Sequence, residues 1–486
     1  MGEPKNTTGL ENSNFLFRFR SAEALLNDDP ANGGFEEIER QTIYFAQPET
    51  LNDPMEGITD AFWDGDAVLW ENLFRHYALS LLWYTSGWLV FDAEEISEAK
   101  VGAALTTESL PTDAVRDHYH EFVSGFCSEI RSKELAGVLG QRTVPLRRER
   151  LVSLLSLVHG SALHHLFKVL HRHGMYPSEL PTHVVPADQV RLFVDAWEAL
   201  VREPPTEEMP VEHVLEIVGR TMNRVNHQLE LGMLSRADDK DRARKWIALL
   251  ARFPDAYVDA FLSDLHFPPW RVACFSRRCV NASMWGTYGH EHRGAALVFR
   301  THQYDEKRFF RLQGMAGQGS QGHELEVRPV RYRDRPPPLD SFLEIGVLPR
   351  AKLEATWMKS EAGVPSTRLA EIADTDAWRK AHWKKAFERA TWKHPDWKHE
   401  DELRLIVSSV FRGDPAPAPL TYDFQQLEGI VFGMRMKTED KLRIAQVVEK
   451  KCRTEGRSDF RFFQAHYSAQ RGEMEVDELT LLEFKV

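Results

Sequence analysis

Cysteine is scarce: the chain has four in 486 residues, Cys127, Cys274, Cys279 and Cys452. Four are too few for a disulfide framework, and Cys274 and Cys279 lack the Cys-x-x-Cys spacing of zinc sites, so reduced thiols are expected. Long apolar runs are also missing. No stretch of 18 uncharged apolar residues occurs, and the opening MGEPKNTTGLENSN carries no apolar signal core, so the expectation is a cytoplasmic protein with no membrane partner. There is no basic surplus. Lys and Arg number 61 against 73 Asp and Glu, a formal charge of −12, which excludes a global nucleic-acid footprint but leaves room for a local basic cleft. Internal repeats and long low-complexity segments are absent. So is any His-Glu-x-x-His pattern, and His159, His164, His165, His171 and His173 therefore read as faces of helices; no metal is expected. What remains is 42% hydrophobic and 28% charged, an ordinary globular composition with length for two to four domains.

Taken in order, residues 1–13 are polar and expected to be disordered. Phe15 to Ser21 alternates Phe15, Phe17 and Phe19 against Leu16, Arg18 and Arg20, a strand pattern that gives Arg18 and Arg20 one shared polar face. Gln47 to Gly57 is turn chemistry around Asn52-Asp53-Pro54. From about Ala61 to Leu262 apolar residues recur at three- and four-residue spacing, and amphipathic helices are expected at 71–90, 148–174, 188–203, 207–233 and 239–265. Pro-rich breaks at 176–186 and 203–210 separate some of them. Strand character resumes at Pro269, with strands at 271–278, 295–300, within 323–332, and at 429–434, and with a closing pair, FRFFQAHYS and LTLLEFKV. A helix is expected at 439–450, a Pro/Ala loop at 414–419, and irregular chain with helix at 339–390. This reading gives an α+β protein: a β-rich core in two parts, 14–60 and 266–486, around an all-helical insertion at 61–265.

The chemistry concentrates in Thr391–Val410, TWKHPDWKHEDELRLIVSSV. Leu403, Leu405 and Val407 alternate with Glu402, Arg404 and Ile406, and in an extended chain Glu400, Glu402 and Arg404 would form one row. Two carboxylates and a guanidinium on one strand face are costly when buried and cheap when they line a cleft. Upstream, Met284-Trp285-x-x-Tyr288 follows the strand ending at Ser276 and forms an aromatic ledge beside it.

These residues together resemble a large, mostly bacterial family of unknown function (DUF). Its hallmarks stand here as Phe17-Arg18-Phe19-Arg20, Asn52-Asp53-Pro54, Cys274-Phe275-Ser276, Met284-Trp285-Gly286-Thr287-Tyr288 with Gly294, and Lys393…Trp397…Glu400-Asp401-Glu402-Leu403-Arg404. The resemblance covers about 14–60 and 268–480. The order of elements is also similar to mono-ADP-ribosyltransferase cores, particularly the DNA-targeting toxins. That likeness implies an ADP-ribosyltransferase-like fold and an NAD-consuming enzyme, the effector of a toxin or antiviral (phage-defence) system. NAD would be the substrate, and ADP-ribose would pass to a protein or nucleic-acid acceptor or to water. Glu402 would stabilise the charge that develops as the nicotinamide–ribose bond breaks, Glu400 would orient or deprotonate the acceptor, and Ser276 or Tyr288 would take the middle place. Arg20 and Arg18 would meet the pyrophosphate, Trp285 and Tyr288 would offer flat faces, and Lys393, Arg404 and Asn52 would complete the binding set. The helical insertion would bind a partner or trigger. Two alternatives stand beside this reading: a non-catalytic sensor holding a nucleotide or protein ligand with Arg20, Glu402 and Arg404, and a metal-dependent nuclease using Asp53, Glu400, Glu402 and Lys393.

Overall fold

A computed structural model describes residues 9–10, 14–29, 34–90, 101–176, 211–314, 322–408 and 420–480. The helix expected at 188–203, both Pro-rich breaks for most of their length, the 414–419 loop, most of the polar N-terminus and most of LTLLEFKV lie outside them. The protein is α+β, mixing helices with antiparallel and parallel strands. No helix among the described residues is long and apolar enough to cross a membrane.

The chain divides into two compact units: residues 1–58, 269–337 and 387–486 make one, and 59–268 with 338–386 make the other. The first unit is built on an eight-stranded sheet. We number its strands β1 (Phe15–Arg20), β2 (Trp270–Ser276), β3 (Ala295–Arg300), β4 (Arg328–Pro329), β5 (Glu402–Ser408), β6 (Leu427–Phe432), β7 (Arg461–Ser468) and β8 (Glu473–Glu478). Their order across the sheet is β4-β5-β2-β1-β3-β6-β7-β8. The strand expected at 429–434 forms with its bounds shifted to 427–432, and the strand paired with β7 is Glu473–Glu478.

Both faces of this sheet are covered. Leu16, Phe275, Leu297, Leu403 and Ile430 pack in one apolar layer, and Phe17, Phe19, Val298, Val431 and Phe463 in another. A strand covered on both sides buries its polar positions too. Arg18, expected on a polar face, is accordingly only 6% exposed.

The joint between β1 and β2 positions the site. β1 pairs with β3 along six residues, and β5 with β2 along seven, but β1 meets β2 only at Phe17–Ser276. From that pair the strands diverge. The sheet is thus two well-knit halves touching at one point, with a wedge between Phe17–Arg20 on one side and Ser276–Val272 on the other. At the wide end the backbone of Ala46 bonds both ways with Val272, at 2.8 and 2.9 Å. Gly294 sits where β3 begins under β1; a Cβ there would lie 2.1 Å from the Arg20 carbonyl oxygen, so only glycine lets the backbones approach.

The second unit has its own core, in which Trp70, Phe74 and Tyr77 of helix Ala67–Val90 pack with Leu155 and Leu166 of helix Arg148–Arg172 and with Phe253, Tyr257 and Phe261. Helix Val211–Arg236 also belongs to this unit. It is not all helical: Asp60–Trp63, Leu146–Arg147 and Pro338–Asp340 form a three-stranded sheet. Residues 338–386, assigned from sequence to the β-rich part, group with this unit because Phe342, Ile345, Leu353 and Trp357 belong to its core.

Candidate functional site

A cleft of about 510 Å³ opens in the wedge of the first unit. Residues from both sheet faces reach it through the gap between β1 and β2: Arg18 and Arg20 from one, Cys274, Glu402 and Arg404 from the other. Three further segments contribute: Tyr44–Asn52, the helical stretch that carries Met284 and Tyr288, and the stretch that carries Lys393 and Glu400.

The carboxylate end is organised by Arg404, which is completely buried. Its Nε and Nη2 donate to the two oxygens of Glu402 at 2.8 and 3.0 Å. Nη1 and Nη2 donate to the two oxygens of Glu56 at 2.5 and 3.0 Å, and Nη1 also reaches the Ala390 carbonyl at 2.7 Å. A guanidinium has five N–H donors, and all five are used. Arg404 therefore has no donor left for a ligand, and its role here is to hold Glu402 and Glu56. Glu56 was not singled out from the sequence: it is one acid in a turn, and nothing local marks it as a partner for a residue 348 positions away.

Glu400 does not extend the strand. Pro395–Glu400 is a 3₁₀ turn started by Pro395 and capped by His394, and it ends at Asp401 with φ 47°. This left-handed residue breaks the expected row, yet it brings both carboxylates to one ammonium: Lys393 Nζ lies 2.5 Å from Glu400 and 3.2 Å from Glu402. Lys393 is delivered by a short parallel pairing of Trp392–Lys393 with Arg331–Tyr332, and the Trp397 ring lies 5.0 Å from its ammonium. The Tyr288 hydroxyl donates to Glu400 at 2.6 Å and the Asn52 amide at 3.4 Å. Glu400, Glu402, Lys393, Tyr288 and Asn52 are thus brought together as one cluster.

The electrostatics follow from burial and pairing. Burial opposes the Glu402 carboxylate, but Arg404 and Lys393 outweigh it and hold its pKa down at about 2. Burial likewise disfavours the Lys393 ammonium, and the Glu402 and Glu400 charges more than compensate, so its pKa is raised. The Tyr288 phenol is pushed up by burial and then by the Glu400 carboxylate it bonds. The Cys274 thiol on the cleft floor is pushed well up by burial and by Glu402, to which it is hydrogen-bonded. With Arg404, Lys393 and Cys274 all donating, Glu402 has little accepting capacity to spare, whereas Glu400 is engaged, among the described residues, by Tyr288, Asn52 and Lys393.

At the other end Arg20 is paired. Its Nε donates to Glu37 at 2.8 Å, and its Nη2 contacts the other oxygen of that buried carboxylate. Glu37, like Glu56, was not found from the sequence. Among the described residues Arg18 meets the Tyr44 carbonyl, at 3.0 Å, and the Phe275 ring, 5.6 Å from the guanidinium carbon; burial and then Arg20 lower its pKa to about 10.

Two sequence candidates stand apart from the cluster's chemistry. The Trp285 ring does not line the cleft: it is completely buried, edge-on to Phe19 at 4.9 Å, with its N–H on the Cys279 carbonyl at 2.7 Å. Its periodic place on helix Ala282–Thr287 turns it into the core, so it offers no free face. Ser276 lines the cleft, but its hydroxyl bonds the carbonyls of Arg278 and Glu400 at 3.0 and 3.1 Å and ties the Glu400 turn to β2. Asp53 is buried and accepts from the Met55 amide at 2.9 Å, as expected of turn chemistry. Among the described residues no group of three or more His, Cys, Asp or Glu is placed to hold a metal ion.

Comparison with known proteins gives one match. Residues 284–405, about a quarter of the chain, match the model of a family described as a protein of unknown function (DUF2971). The matched stretch runs from Met284 to Leu405 and contains Tyr288, Lys393, Glu400, Glu402 and Arg404. No curated protein and no solved structure matches the chain.

Proposed function

We propose that the first unit is an NAD-consuming, ADP-ribosyltransferase-like enzyme. The observation that carries this reading is the polarity of the cleft. At one end the Glu400 and Glu402 carboxylates line the cleft, balanced by Lys393 and Arg404; at the other Arg18 and Arg20 line it, with Arg20 paired to Glu37, leaving one net positive charge. NAD is polarised in the complementary sense, with a cationic nicotinamide ribosyl end and an anionic pyrophosphate. Elongated ligands with separated charges are selected by such complementarity. The likeness to transferase cores is supported by topology: the first, second and fifth strands of the sheet lie side by side and carry Arg20, Ser276 and Glu402 to one cleft.

In this reading the C1′–N bond breaks, nicotinamide leaves with the bonding electrons, and positive charge develops on the ribosyl carbon. Glu402, charged down to a pKa of about 2, is a permanent counter-charge to that carbon. A ribose hydroxyl reaches it by displacing its long hydrogen bond to Lys393, at 3.2 Å. Glu400 takes the proton of the acceptor as the new bond forms, and Tyr288 and Asn52 hold it in place. The acceptor is a protein, a nucleic acid or water.

One observation favours a second reading, a nucleotide-binding sensor without turnover: the saturation of Glu402. The nuclease reading is less well served, because the Lys393 ammonium already lies between the two carboxylates a divalent cation would need. The test is nicotinamide release from NAD by the purified protein in EDTA, with and without cell lysate, beside Glu402→Gln. Release that the variant loses by at least a hundredfold supports the transferase. NAD that is bound by both proteins and consumed by neither favours the sensor.

A further inference from the structure

We infer that Gln47–Met55 is a strap that closes over the carboxylate end of the cleft, with the Asn52 amide as its latch on Glu400 and NAD as the ligand that closes it. The latch stands on geometry; only the identity of the ligand rests on the reading above.

The strap is defined by its two fixed ends. At one, the backbone of Ala46 exchanges two hydrogen bonds with Val272 of β2, at 2.8 and 2.9 Å. At the other, both oxygens of the buried Glu56 are held by Arg404, and the Gly57 carbonyl accepts from Arg389 Nε at 2.5 Å. Between these ends the chain is bonded chiefly to itself. The Thr50 and Leu51 amides return to the Gln47 and Pro48 carbonyls, each at 3.1 Å, and the Met55 amide to the Asp53 side chain at 2.9 Å. Pro48 and Pro54 fix φ at two positions, so the segment is stiff within itself. Among the described residues, one hydrogen bond ties Gln47–Met55 to the sheet or to the Glu400 turn: the Asn52 amide on Glu400, at 3.4 Å. That is longer than the usual N–H···O range of about 2.7–3.2 Å. A segment held at its ends, bonded to itself and attached in the middle by one long bond opens at little cost.

The strap as it lies is underbonded at two consecutive side chains. Next to Asn52, Asp53 is 2% exposed, and its Oδ2 has no partner. A buried acceptor closed to solvent gains a partner only when the chain around it rearranges. Thr50, Leu51 and Asn52 also line the cleft beside Lys393, Glu400 and Glu402. A ligand in the cleft would give them a surface to close on, shorten the Asn52–Glu400 bond, and remove the carboxylate end from bulk water. Open, the strap admits ligand and acceptor; closed, it fixes Glu400. Asn52 is then a positioning residue that acts through Glu400.

The test is hydrogen exchange of the full-length protein, followed by mass spectrometry over peptides of Tyr44–Ile58, with and without NAD. Asn52→Asp keeps a side chain that can accept local turn bonds but sets a carboxylate against Glu400. Strap exchange in the NAD-free variant should rise at least fivefold, with β2 and β5 unchanged as the control for an intact fold; Asn52 is exposed, so the variant is expected to fold. Adding Glu400→Gln offers the new carboxylate an amide, and exchange should return to within twofold of wild type. An asparagine that served only its own turn would show no such rescue. In the wild type, saturating NAD should slow exchange across Gln47–Met55 at least tenfold, and Asn52→Asp should lose that effect. Strap exchange that Asn52→Asp leaves unchanged, or that Glu400→Gln fails to restore, overturns the latch. NAD that binds by titration calorimetry yet leaves wild-type strap exchange unchanged overturns the closure. NAD that does not bind takes the closure down with the reading above, and the rescue still decides the latch. If the variants and the slowing by NAD behave as expected while no nicotinamide is released, the strap stands and the transferase reading falls. If Glu402→Gln abolishes nicotinamide release while the latch variants exchange like the wild type, the transferase reading stands and the strap falls.

Discussion

Arg404 shows how much of the site is scaffolding. Its five donors hold two carboxylates that would otherwise be buried and repelling, so Arg404→Met should destabilise the protein by about 3–5 kcal/mol, the usual cost of stranding a buried ion-pair partner. Arg404→Lys should rescue little, because an ammonium cannot bridge two carboxylates through parallel pairs of bonds; urea denaturation measures both. Glu402 gives a pH signature. Its pKa falls from an ordinary 4.5 to about 2 on folding, so between those values the unfolded chain binds more protons than the folded one. Its contribution, about 3 kcal/mol, is present above pH 4.5 and lost as pH falls toward 2. Denaturation profiles of Glu402→Gln should lack that part of the acid slope; an unchanged slope would mean that Glu402 is not held as described. Alternation along β5 made Glu402 and Arg404 legible, because it marks which side chains share a face; Lys393 and Glu400 were legible only as charges just ahead of that strand, and the row expected for Glu400 does not form. Glu37 and Glu56 were illegible, since an isolated acid in a short helix or turn acquires meaning only from a cation hundreds of residues away.

Among the elements, local pattern sufficed where the pattern is self-contained. β5, β3 and the helices Ala67–Val90 and Arg148–Arg172 form close to their expected bounds because each carries its own apolar period. It failed at junctions. The left-handed Asp401 cannot be read from Glu-Asp-Glu, and the single Phe17–Ser276 pairing depends on strands distant in sequence. Nor does alternation along β1 tell that its arginine-bearing face is covered; Arg18 looks like a solvent residue until the second apolar layer is in place. Gly294, by contrast, is a motif glycine with a mechanical reason. Gly294→Ala should force the Arg20 carbonyl away from the start of β3, lowering stability by about 1–3 kcal/mol and weakening NAD binding beyond what the lost stability explains. Thermal denaturation beside ligand titration separates the two effects, and a variant that melts and binds like the wild type would refute the close approach.

At the scale of the whole molecule, the two units should respond to acid in different ranges. His76 and His159 lie buried in the helical unit, bonded to Tyr257 and Tyr77, and burial lowers the pKa of each to about 4. Between pH 6.5 and 4 the unfolded chain takes up protons that the folded unit refuses, so about 3 kcal/mol per histidine, present above pH 6.5, is lost as pH falls toward 4. The Glu402 carboxylate gives up its contribution only below pH 4.5. Hydrogen exchange followed by mass spectrometry should therefore show peptides of Ala67–Val90 and Arg148–Arg172 losing protection at a higher pH than those of β2 and β5; the opposite order would contradict the buried, neutral histidines. The mixed class and the helix-rich middle were legible from composition and periodicity, but the membership of 338–386 was not, because its few apolar anchors follow no long period. The division also has a consequence for synthesis. β1 leaves the ribosome roughly 250 residues before β2 and β3, its neighbours in the sheet, have been made. Until then its alternating phenylalanines, with a buried arginine among them, have no native partner, and closing so long a loop is slow. The earliest strand of this sheet to be made is among the last to be housed, and the nascent chain must keep it from pairing with strands of other molecules in the interval.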